Sequence, residues 1–243
     1  MSSDLLLDVR GLNAWYGAAH IIHDLDFSLP KGAVVALMGR NGAGKSTTLK
    51  SLMGLVPRRS GKVRFLDQDI SGLEPYQIAR RGLGFVPEDR RIFTELTVQD
   101  NLETGRQPMR CWPDGQPAVH WTTEKLLDLF PNLRTAQRRP ASALSGGEQQ
   151  MLTIARTLMG NPFVVLLDEP SEGVAPVIVE QMADLIVKLK HQGISIVLSE
   201  QNIHFARWVA DYAYVLEKGV LRYSGSMEGL VANEQLRREY LAL

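Results

Sequence analysis

Residues 39–46 read Gly39-Arg40-Asn41-Gly42-Ala43-Gly44-Lys45-Ser46, and the five apolar residues 34–38 precede them directly. The octet fits the pattern G-x-x-x-x-G-K-[ST], and from Lys45 onward apolar residues recur at helical spacing. The sequence therefore predicts a strand, a glycine-rich turn and a helix, in that order. Backbone N–H groups of such a turn face inward, and the helix adds the positive end of its dipole, so the segment is suited to binding phosphate.

This pattern also assigns roles to individual groups. We expect the ammonium group of Lys45 to lie against the outer phosphates of a nucleotide and the hydroxyl of Ser46 to bind Mg²⁺. The predicted nucleotide-binding residues of the segment are Gly39, Arg40, Asn41, Gly42, Ala43, Gly44, Lys45, Ser46 and Thr47. A chance glycine-rich turn is the alternative, and the strand before it and the helix after it argue against that alternative.

A second apolar run, residues 163–167, ends in two acidic residues, Asp168 and Glu169. Aliphatic residues on both sides of the pleat predict a strand buried within a sheet, and α/β sheets bind ligands at the carboxyl ends of their strands. We expect Asp168 to hold the hydration shell of Mg²⁺ and Glu169 to orient and partly deprotonate the attacking water. A strand end capped by solvated acids is the alternative, and the presence of the phosphate loop favours the catalytic interpretation.

The composition limits the class of protein. The chain has 243 residues, of which 44% are hydrophobic, and 27 Lys and Arg balance 27 Asp and Glu. It therefore has the make-up of a globular protein and lacks the basic excess that accompanies nucleic-acid binding. Its single cysteine, Cys111, cannot form an internal disulfide, which favours a reducing compartment. No apolar run approaches the roughly 20 residues of a membrane-spanning helix, and residues 1–8 do not resemble a secretory signal, so we expect a cytoplasmic protein.

Strands and helices alternate along most of the chain, which predicts a mostly parallel sheet covered on both faces. The predicted strands are 5–9, 25–29, 34–38, 63–66, 83–86, 163–167, 194–199 and a hairpin over 212–224 that turns at Lys218-Gly219. The predicted helices are one that begins near Lys45, then 75–81, 97–105, 123–130, 148–159, 176–191 and a short tail. Residues 107–122 contain three prolines and two tryptophans and are predicted to form a loop. We predict one domain over 1–243, with an α/β core at about 1–89 and 161–243 and an inserted helical subdomain at about 90–160.

Residues 144–150, Leu-Ser-Gly-Gly-Glu-Gln-Gln, open one of these helices with Ser145 as the cap and Glu148 three residues later. Between a phosphate loop and a strand that ends in Asp-Glu, the segment resembles the signature sequence of the ABC (ATP-binding cassette) ATPases. The resemblance covers nearly the whole chain. It implies an α/β P-loop NTPase fold, with a RecA-like, mostly parallel core, an antiparallel β edge subdomain and an inserted helical subdomain. It also implies that ATP and Mg²⁺ are the cofactors and that the chain hydrolyses ATP.

The family pattern extends to three further positions. Tyr16 resembles the aromatic residue that stacks on adenine, although such a tyrosine can also belong to a turn. Glu88 falls where the family usually has a glutamine that links Mg²⁺ to the membrane partner, and it joins Ser46 and Asp168 as an expected metal contact. Gln201 takes the place of the usual switch histidine and is an expected catalytic residue with Lys45 and Glu169. His204 could share a helical face with Gln201 if a helix began near residue 201, or it could be a surface histidine.

Particular segments resemble one of the two ATPase subunits of branched-chain amino acid importers. They are Val-Pro-Glu at 86–88, Ile-Phe-Thr-Glu-Leu-Thr-Val at 92–98 and Glu-Gln-Asn at 200–202. Urea and amide importers share much of this pattern, which leaves them as the alternative. Glu172 replaces a customary leucine and Asp89 a common glycine, and we expect neither replacement to touch the chemistry.

The resemblance also implies partners. Ser145, Gly146 and Gly147 are expected to contact ATP that is held by an opposite ATPase subunit, either a second copy or, as the resemblance favours, a sister subunit. Residues 171–176 match the loop that crosses the interface between the two. Transmembrane permease subunits are expected to contact the helical subdomain and residues 88–93, and a periplasmic solute-binding protein is an indirect partner. This places the chain at the cytoplasmic face of the inner membrane as a peripheral subunit.

Three other functions remain as alternatives. A soluble ABC-type ATPase that acts on nucleic acid or ribosomes would usually carry two cassettes or a long coiled coil, and this chain has neither, so no nucleic-acid partner is expected. A regulatory module that uses ATP only as a switch does not need the intact Glu169. A P-loop kinase leaves residues 144–150 unexplained.

Overall fold

The computed structural model describes residues 5–241. Residues 1–4 and 242–243 lie outside the described residues. The first four belong to the segment that we expect not to be a secretory signal. Across the described part of the chain, no helix has the length and apolar character needed to cross a bilayer.

Ten strands and ten α-helices make up the described chain. The strands are β1 (Leu5–Tyr16), β2 (Ala19–Pro30), β3 (Val34–Met38), β4 (Arg58–Phe65), β5 (Gln68–Asp69), β6 (Leu83–Val86), β7 (Val164–Asp168), β8 (Ser195–Glu200), β9 (Tyr212–Glu217) and β10 (Val220–Ser226). The helices are α1 (Lys45–Leu52), α2 (Pro75–Arg80), α3 (Val98–Thr104), α4 (Thr123–Leu129), α5 (Pro131–Thr135), α6 (Gly146–Leu158), α7 (Pro176–His191), α8 (Ile203–Val209), α9 (Met227–Ala232) and α10 (Glu234–Tyr240).

The central sheet has six strands in the order β10-β9-β3-β8-β7-β6. Strands β9, β3, β8, β7 and β6 pair in parallel, and β10 pairs antiparallel with β9. Every residue of β3, β7 and β8 is buried, the polar residues of β7 and β8 included, as expected for central strands of a parallel sheet that is covered on both faces. Because β3 and β7 both neighbour β8, the phosphate loop after β3 and the acids at the end of β7 emerge at the same edge.

A second sheet lies beside the first and is wholly antiparallel, in the order β2-β1-β4-β5. Side chains of β3 point alternately into two hydrophobic cores, because successive residues of a strand face opposite sides of the sheet. Val35 and Leu37 belong to a core shared with this second sheet and α1. Val34, Ala36 and Met38 belong to a core shared with α3 to α7. The fold is therefore the predicted α/β architecture, with a mostly parallel core and an antiparallel edge sheet.

Helices α3 to α6 all lie between residues 98 and 158, within the range assigned to the helical subdomain. Their core continues onto the central sheet. The division of the chain at about 90 and 160 therefore stays a prediction.

Three predicted strands are longer in the structure than expected, and one of them, β4, begins at Arg58 rather than at residue 63. β1 and β2 each have 12 residues rather than five, because β-bulges interrupt the alternation of apolar residues that sequence reasoning follows. The short helix α5, which begins at Pro131, and the two-residue strand β5 were not predicted. The loop at 107–122 is confirmed, apart from an isolated bridge between Cys111 and Pro117.

Candidate active site

The phosphate loop connects β3 to α1 and is shaped by glycines in the left-handed region. A Cβ on Gly39, where φ is 150°, would lie 2.4 Å from the carbonyl oxygen of Leu216. A Cβ on Gly44, where φ is 105°, would lie 2.6 Å from Cδ1 of Ile22. Only glycine fits both positions, and it allows the loop to lie close to the hairpin β9–β10 and to the edge sheet.

Lys45, the first residue of α1, points back into this loop. Its Nζ donates hydrogen bonds to the carbonyl oxygens of Gly39, at 2.9 Å, and Arg40, at 3.2 Å. It also lies 3.0 Å from Oε1 of Glu169, and the Lys45 side chain is only 2% exposed. Three oxygen atoms therefore surround the ammonium group, which is the number of hydrogen bonds that a lysine can donate.

Ser46 and Asp168 meet across the site. Oγ of Ser46 donates a hydrogen bond to Oδ1 of Asp168 at 2.7 Å, and Oγ of Ser199, on β8, donates to the same oxygen at 2.7 Å. Oδ2 of Asp168 is buried and has no hydrogen-bond partner in the described structure. A buried carboxylate oxygen without a partner requires an explanation. A hydrated Mg²⁺ fits here, because Mg²⁺ binds oxygen ligands and usually takes only one or two protein groups together with phosphates and water.

Glu169 follows Asp168 with φ at 46°, an uncommon conformation for a residue other than glycine. Its backbone N–H donates to Oγ of Ser199 at 3.0 Å, which helps to hold this conformation. Burial raises the pKa of the Glu169 carboxyl group, but hydrogen bonds from Glu172 and Lys45 outweigh burial, so its pKa lies below the ordinary value. Glu169 is therefore ionised at neutral pH, as a base must be.

Glu172 contacts Glu169, the expected base, so the expectation that Glu172 would lie apart from the predicted catalytic residues is wrong. The backbone N–H of Glu172 donates to the carbonyl oxygen of Glu169 at 3.1 Å, and this turn brings the two carboxyl groups together. The hydrogen bond to Glu169 and the charge of Glu169 raise the pKa of Glu172 to about 7, with smaller contributions from burial and from Glu88. The leucine expected at this position could not form this bond.

Glu200, at the end of β8, is a second acid that sequence reasoning missed. Its carboxylate accepts hydrogen bonds from the backbone N–H groups of Ser171, at 3.0 Å, and Asn202, at 3.2 Å. Burial raises the pKa of Glu200, and these two bonds lower it in part. Glu200 thus links the segment after Glu169 to the segment that carries Gln201. An ionisable residue at the end of a buried strand was the signal that could have identified it.

The signature segment forms the start of α6. Ser145 caps the helix, and Oε2 of Glu148 accepts hydrogen bonds from the backbone N–H and the hydroxyl of Ser145, both at 2.8 Å. Ser145 is exposed, and Gly146 and Gly147 are half-buried. Within residues 5–241, no hydrogen bond or ion pair joins these three residues to the phosphate loop. The structure does not bring them into this chain's own site.

Among the described residues, no hydrogen bond or ion pair joins Tyr16, Glu88 or Gln201 to Lys45, Ser46 or the two acids. Tyr16, at the end of β1, is 47% exposed, and Glu88 and Gln201 are exposed as well. Helix α8 begins at Ile203 rather than near 201, because the side chain of Asn202 caps it. Gln201 therefore precedes the helix and does not share a helical face with the exposed His204.

Comparison with known proteins places these features in context. Residues 22–172 match the family described as "ABC transporter". The chain is 39% identical to the high-affinity branched-chain amino acid transport ATP-binding protein BraG of Pseudomonas aeruginosa, over 97% of this chain and 99% of that protein. It is 35% identical to the probable branched-chain amino acid transport ATP-binding protein LivF of Archaeoglobus fulgidus, over 93% and 94% of the two chains. It is 33% identical to the lipopolysaccharide export system ATP-binding protein LptB of Escherichia coli K12, over 97% and 96%.

Two solved structures are similar to this chain over nearly its whole length. One is a nucleotide-free ATP-binding cassette from an ABC transporter, with a TM-score of 0.80 and 25% identity, covering 96% of this chain and 97% of that one. The other is the ADP conformation of an ATP-binding cassette of an ABC transporter, with the same TM-score, identity and coverage.

Proposed function

Because the chain belongs to the ABC transporter family, we propose that it is the ATPase subunit of an importer that takes up branched-chain amino acids. The chain binds nucleotide and is an ATP-hydrolysing enzyme. The observation that supports the substrate class is the near-full-length similarity to a protein named for high-affinity branched-chain amino acid transport. An importer of urea or short-chain amides is the alternative within the same group.

In the proposed mechanism, ATP binds to the phosphate loop, and its outer phosphates replace Glu169 as the ion-pair partner of Lys45. Loop N–H groups and the start of α1 stabilise the phosphate charge, and Tyr16 stacks on the adenine. Ser46 and Asp168, with Glu88, would hold Mg²⁺, which supplies charge neutralisation at the phosphates. Glu169, no longer paired with Lys45, orients the attacking water and accepts its proton, and Gln201 donates a hydrogen bond to the γ-phosphate.

We place the second half of each ATP site on a neighbouring ATPase subunit. Ser145, Gly146 and Gly147 are exposed or half-buried at the start of a 13-residue helix, which suits them to contact the γ-phosphate held by that neighbour. The neighbour is a sister subunit or a second copy. Binding of ATP thus closes the pair, and hydrolysis removes the γ-phosphate contacts that hold it closed.

The permease subunits are proposed to dock next to residues 88–93. A groove of about 510 Å³ lies between α2, β6 and α6, and its lining includes Tyr76, Phe93 and Arg156. Tyr76 is 59% exposed and Phe93 is 52% exposed, and aromatic residues are favoured at the centre of protein interfaces. This docking would hold the chain at the cytoplasmic face of the inner membrane, with a periplasmic solute-binding protein as an indirect partner.

Uptake of labelled solutes by cells that encode the chain tests this proposal. Deletion of the gene should reduce uptake of leucine, isoleucine and valine, and wild-type protein should restore it. The Glu169→Gln variant should not restore uptake, whereas Glu180→Gln, on the exposed face of α7, should. Loss of urea or amide uptake with normal leucine uptake would select the alternative, and normal uptake of all these solutes would overturn both.

A further inference from the structure

The loop that follows β6 lies along one face of the signature helix α6. The carbonyl oxygen of Arg90 accepts a hydrogen bond from Oγ1 of Thr153 at 2.9 Å, and that of Arg91 accepts one from Nη2 of Arg156 at 2.6 Å. Nη1 of Arg90 donates to Oε1 of Gln149 at 3.3 Å. Positions 149, 153 and 156 are spaced by four and three residues, so they form one stripe on the helix.

The backbone of this loop is held in an uncommon conformation. φ is 60° at Arg90 and 51° at Arg91, both in the left-handed region that residues other than glycine rarely adopt. Such conformations persist when surrounding contacts fix them, and here α6 supplies those contacts. Three hydrogen bonds, two of them to carbonyl oxygens of the loop, therefore hold the loop and α6 in a fixed relative position.

Arg90 reaches the signature segment itself. A Cβ on Gly146 would lie 3.0 Å from Nη1 and 3.3 Å from Nη2 of Arg90, so the glycine leaves room for the guanidinium group. No carboxylate of the described residues forms an ion pair with Arg90. A cation at the start of a helix opposes the helix dipole, so stabilisation of α6 does not explain this position.

We propose that Arg90 is a positioning residue that couples the two ATP sites of the assembled ATPase pair. It lies two residues after Glu88, a proposed Mg²⁺ contact of this chain's own site, and against Gly146, a proposed contact to the ATP of the neighbour. The inference rests on the proposed function, because it needs a neighbouring ATPase subunit. Arg90 fixes the distance between the Glu88 loop and the first turn of α6, so occupancy of one site changes the geometry that the signature presents to the other.

The test compares Arg90→Ala with a matched variant, Arg64→Ala. Arg64, on β4, is exposed and carries the same charge, and its guanidinium pairs with Asp67 at 3.6 Å, outside the proposed nucleotide and permease contacts. ATP hydrolysis is measured in the complex with the permease subunits and the partner ATPase, over a range of ATP concentrations. Two coupled sites allow a Hill coefficient of up to about 2, and we expect it to fall towards 1 in Arg90→Ala but not in Arg64→Ala.

Nucleotide affinity of the single chain separates coupling from simple loss of structure. Arg90→Ala should bind a fluorescent ATP analogue as wild type does, because Arg90 does not touch the phosphate loop. In the complex its maximal rate should fall about tenfold, as expected from the loss of one hydrogen bond from a charged group. Arg90→Lys, which keeps the charge and a donor to Gln149, should recover part of both the rate and the cooperativity.

Each other outcome contradicts the proposal. It is overturned if Arg90→Ala retains wild-type cooperativity, if Arg64→Ala loses as much, or if the wild-type complex hydrolyses ATP without cooperativity. It is also overturned if Arg90→Ala loses single-chain nucleotide binding or thermal stability to the same degree as activity, since Arg90 would then have a general structural role. Failure of the wild-type complex to hydrolyse ATP would refute the proposed function instead.

Discussion

Nζ of Lys45 lies 3.0 Å from Oε1 of Glu169, and this ion pair joins the phosphate loop to the end of β7. The two side chains are 2% and 10% exposed, so solvent screens the pair little. The lysine that should bind phosphate and the carboxylate that should act as base therefore neutralise each other. Nucleotide phosphates must compete with Glu169 for Lys45, and this competition leads to the first three predictions.

Glu169→Gln should abolish turnover but preserve nucleotide binding. The amide cannot accept the proton of the attacking water, and loss of a general base reduces rates by about 10²- to 10⁴-fold. Lys45 is at the same time released from its carboxylate partner, so ATP affinity should equal or exceed that of wild type. Steady-state phosphate release and calorimetric titration with ATP measure the two effects. Hydrolysis near the wild-type rate in this variant would refute the assignment of Glu169 as the base.

Lys45→Ala should weaken both binding and chemistry. The ammonium group is the cation placed inside the phosphate loop, and loss of one preorganised donor to a reacting group costs about 10²- to 10³-fold in rate. Lys50→Ala is a suitable control, because Lys50 carries the same charge and lies on the same helix α1, beyond the predicted nucleotide-binding residues. The same two assays apply, and unchanged affinity and rate in Lys45→Ala would argue against the proposed phosphate site.

The stability of the free protein should show the same ion pair. Lys45→Ala leaves Glu169 largely buried without its cation, and removal of one partner of a buried pair typically costs about 3–5 kcal/mol. In the double variant Lys45→Ala/Glu169→Gln no unpaired charge remains, so it should unfold at a higher temperature than Lys45→Ala alone. Thermal denaturation without nucleotide, for wild type, both single variants and the double variant, gives the coupling energy. Additive effects of the two substitutions would show that the pair contributes nothing.

Local sequence was sufficient to place the phosphate loop and the two acids. The octet at 39–46 lies between β3 and α1, and Asp168 ends β7, because each segment carries its own signal: a buried apolar run followed by turn residues or acids. That both segments meet at one edge follows from parallel pairing of their strands, which the alternation of strands and helices predicted.

Contacts that depend on turns and on distant strands could not be predicted in the same way. Glu172 approaches Glu169 only because φ at Glu169 is positive and the chain turns back after it, and no periodicity encodes that turn. Ser199 and Glu200 join the site through the pairing of β7 with β8, across about 30 residues of chain. The full length of β1, from Leu5 to Tyr16, is set by its pairing with β2 through several register shifts, which hydrophobic alternation alone does not show.

The pH dependence of stability should reveal the carboxyl pair of Glu172 and Glu169. The pKa of Glu172 is about 7 in the folded chain against 4.5 for a free glutamate, so between these values the folded state holds a proton that the unfolded state has lost. The stabilising contribution of the Glu172 carboxyl group is fully present below pH 4.5. It is lost as the pH rises from 4.5 through 7, and it is absent at higher pH. The pKa of Glu169 is shifted downward, so its contribution is lost only at acid pH and does not vary in the same window.

Glu172→Gln removes this titration, so its melting temperature relative to wild type should be higher at pH 8 than at pH 5. The gain should not exceed about 2–4 °C, the shift that 1 kcal/mol produces in a domain of this size, because solvent screens the exposed carboxyl group. Glu180→Gln serves as the control, since it removes an exposed carboxylate of α7 at the same two pH values. An equal difference from wild type at pH 5 and pH 8 would show that Glu172 does not share a proton with Glu169.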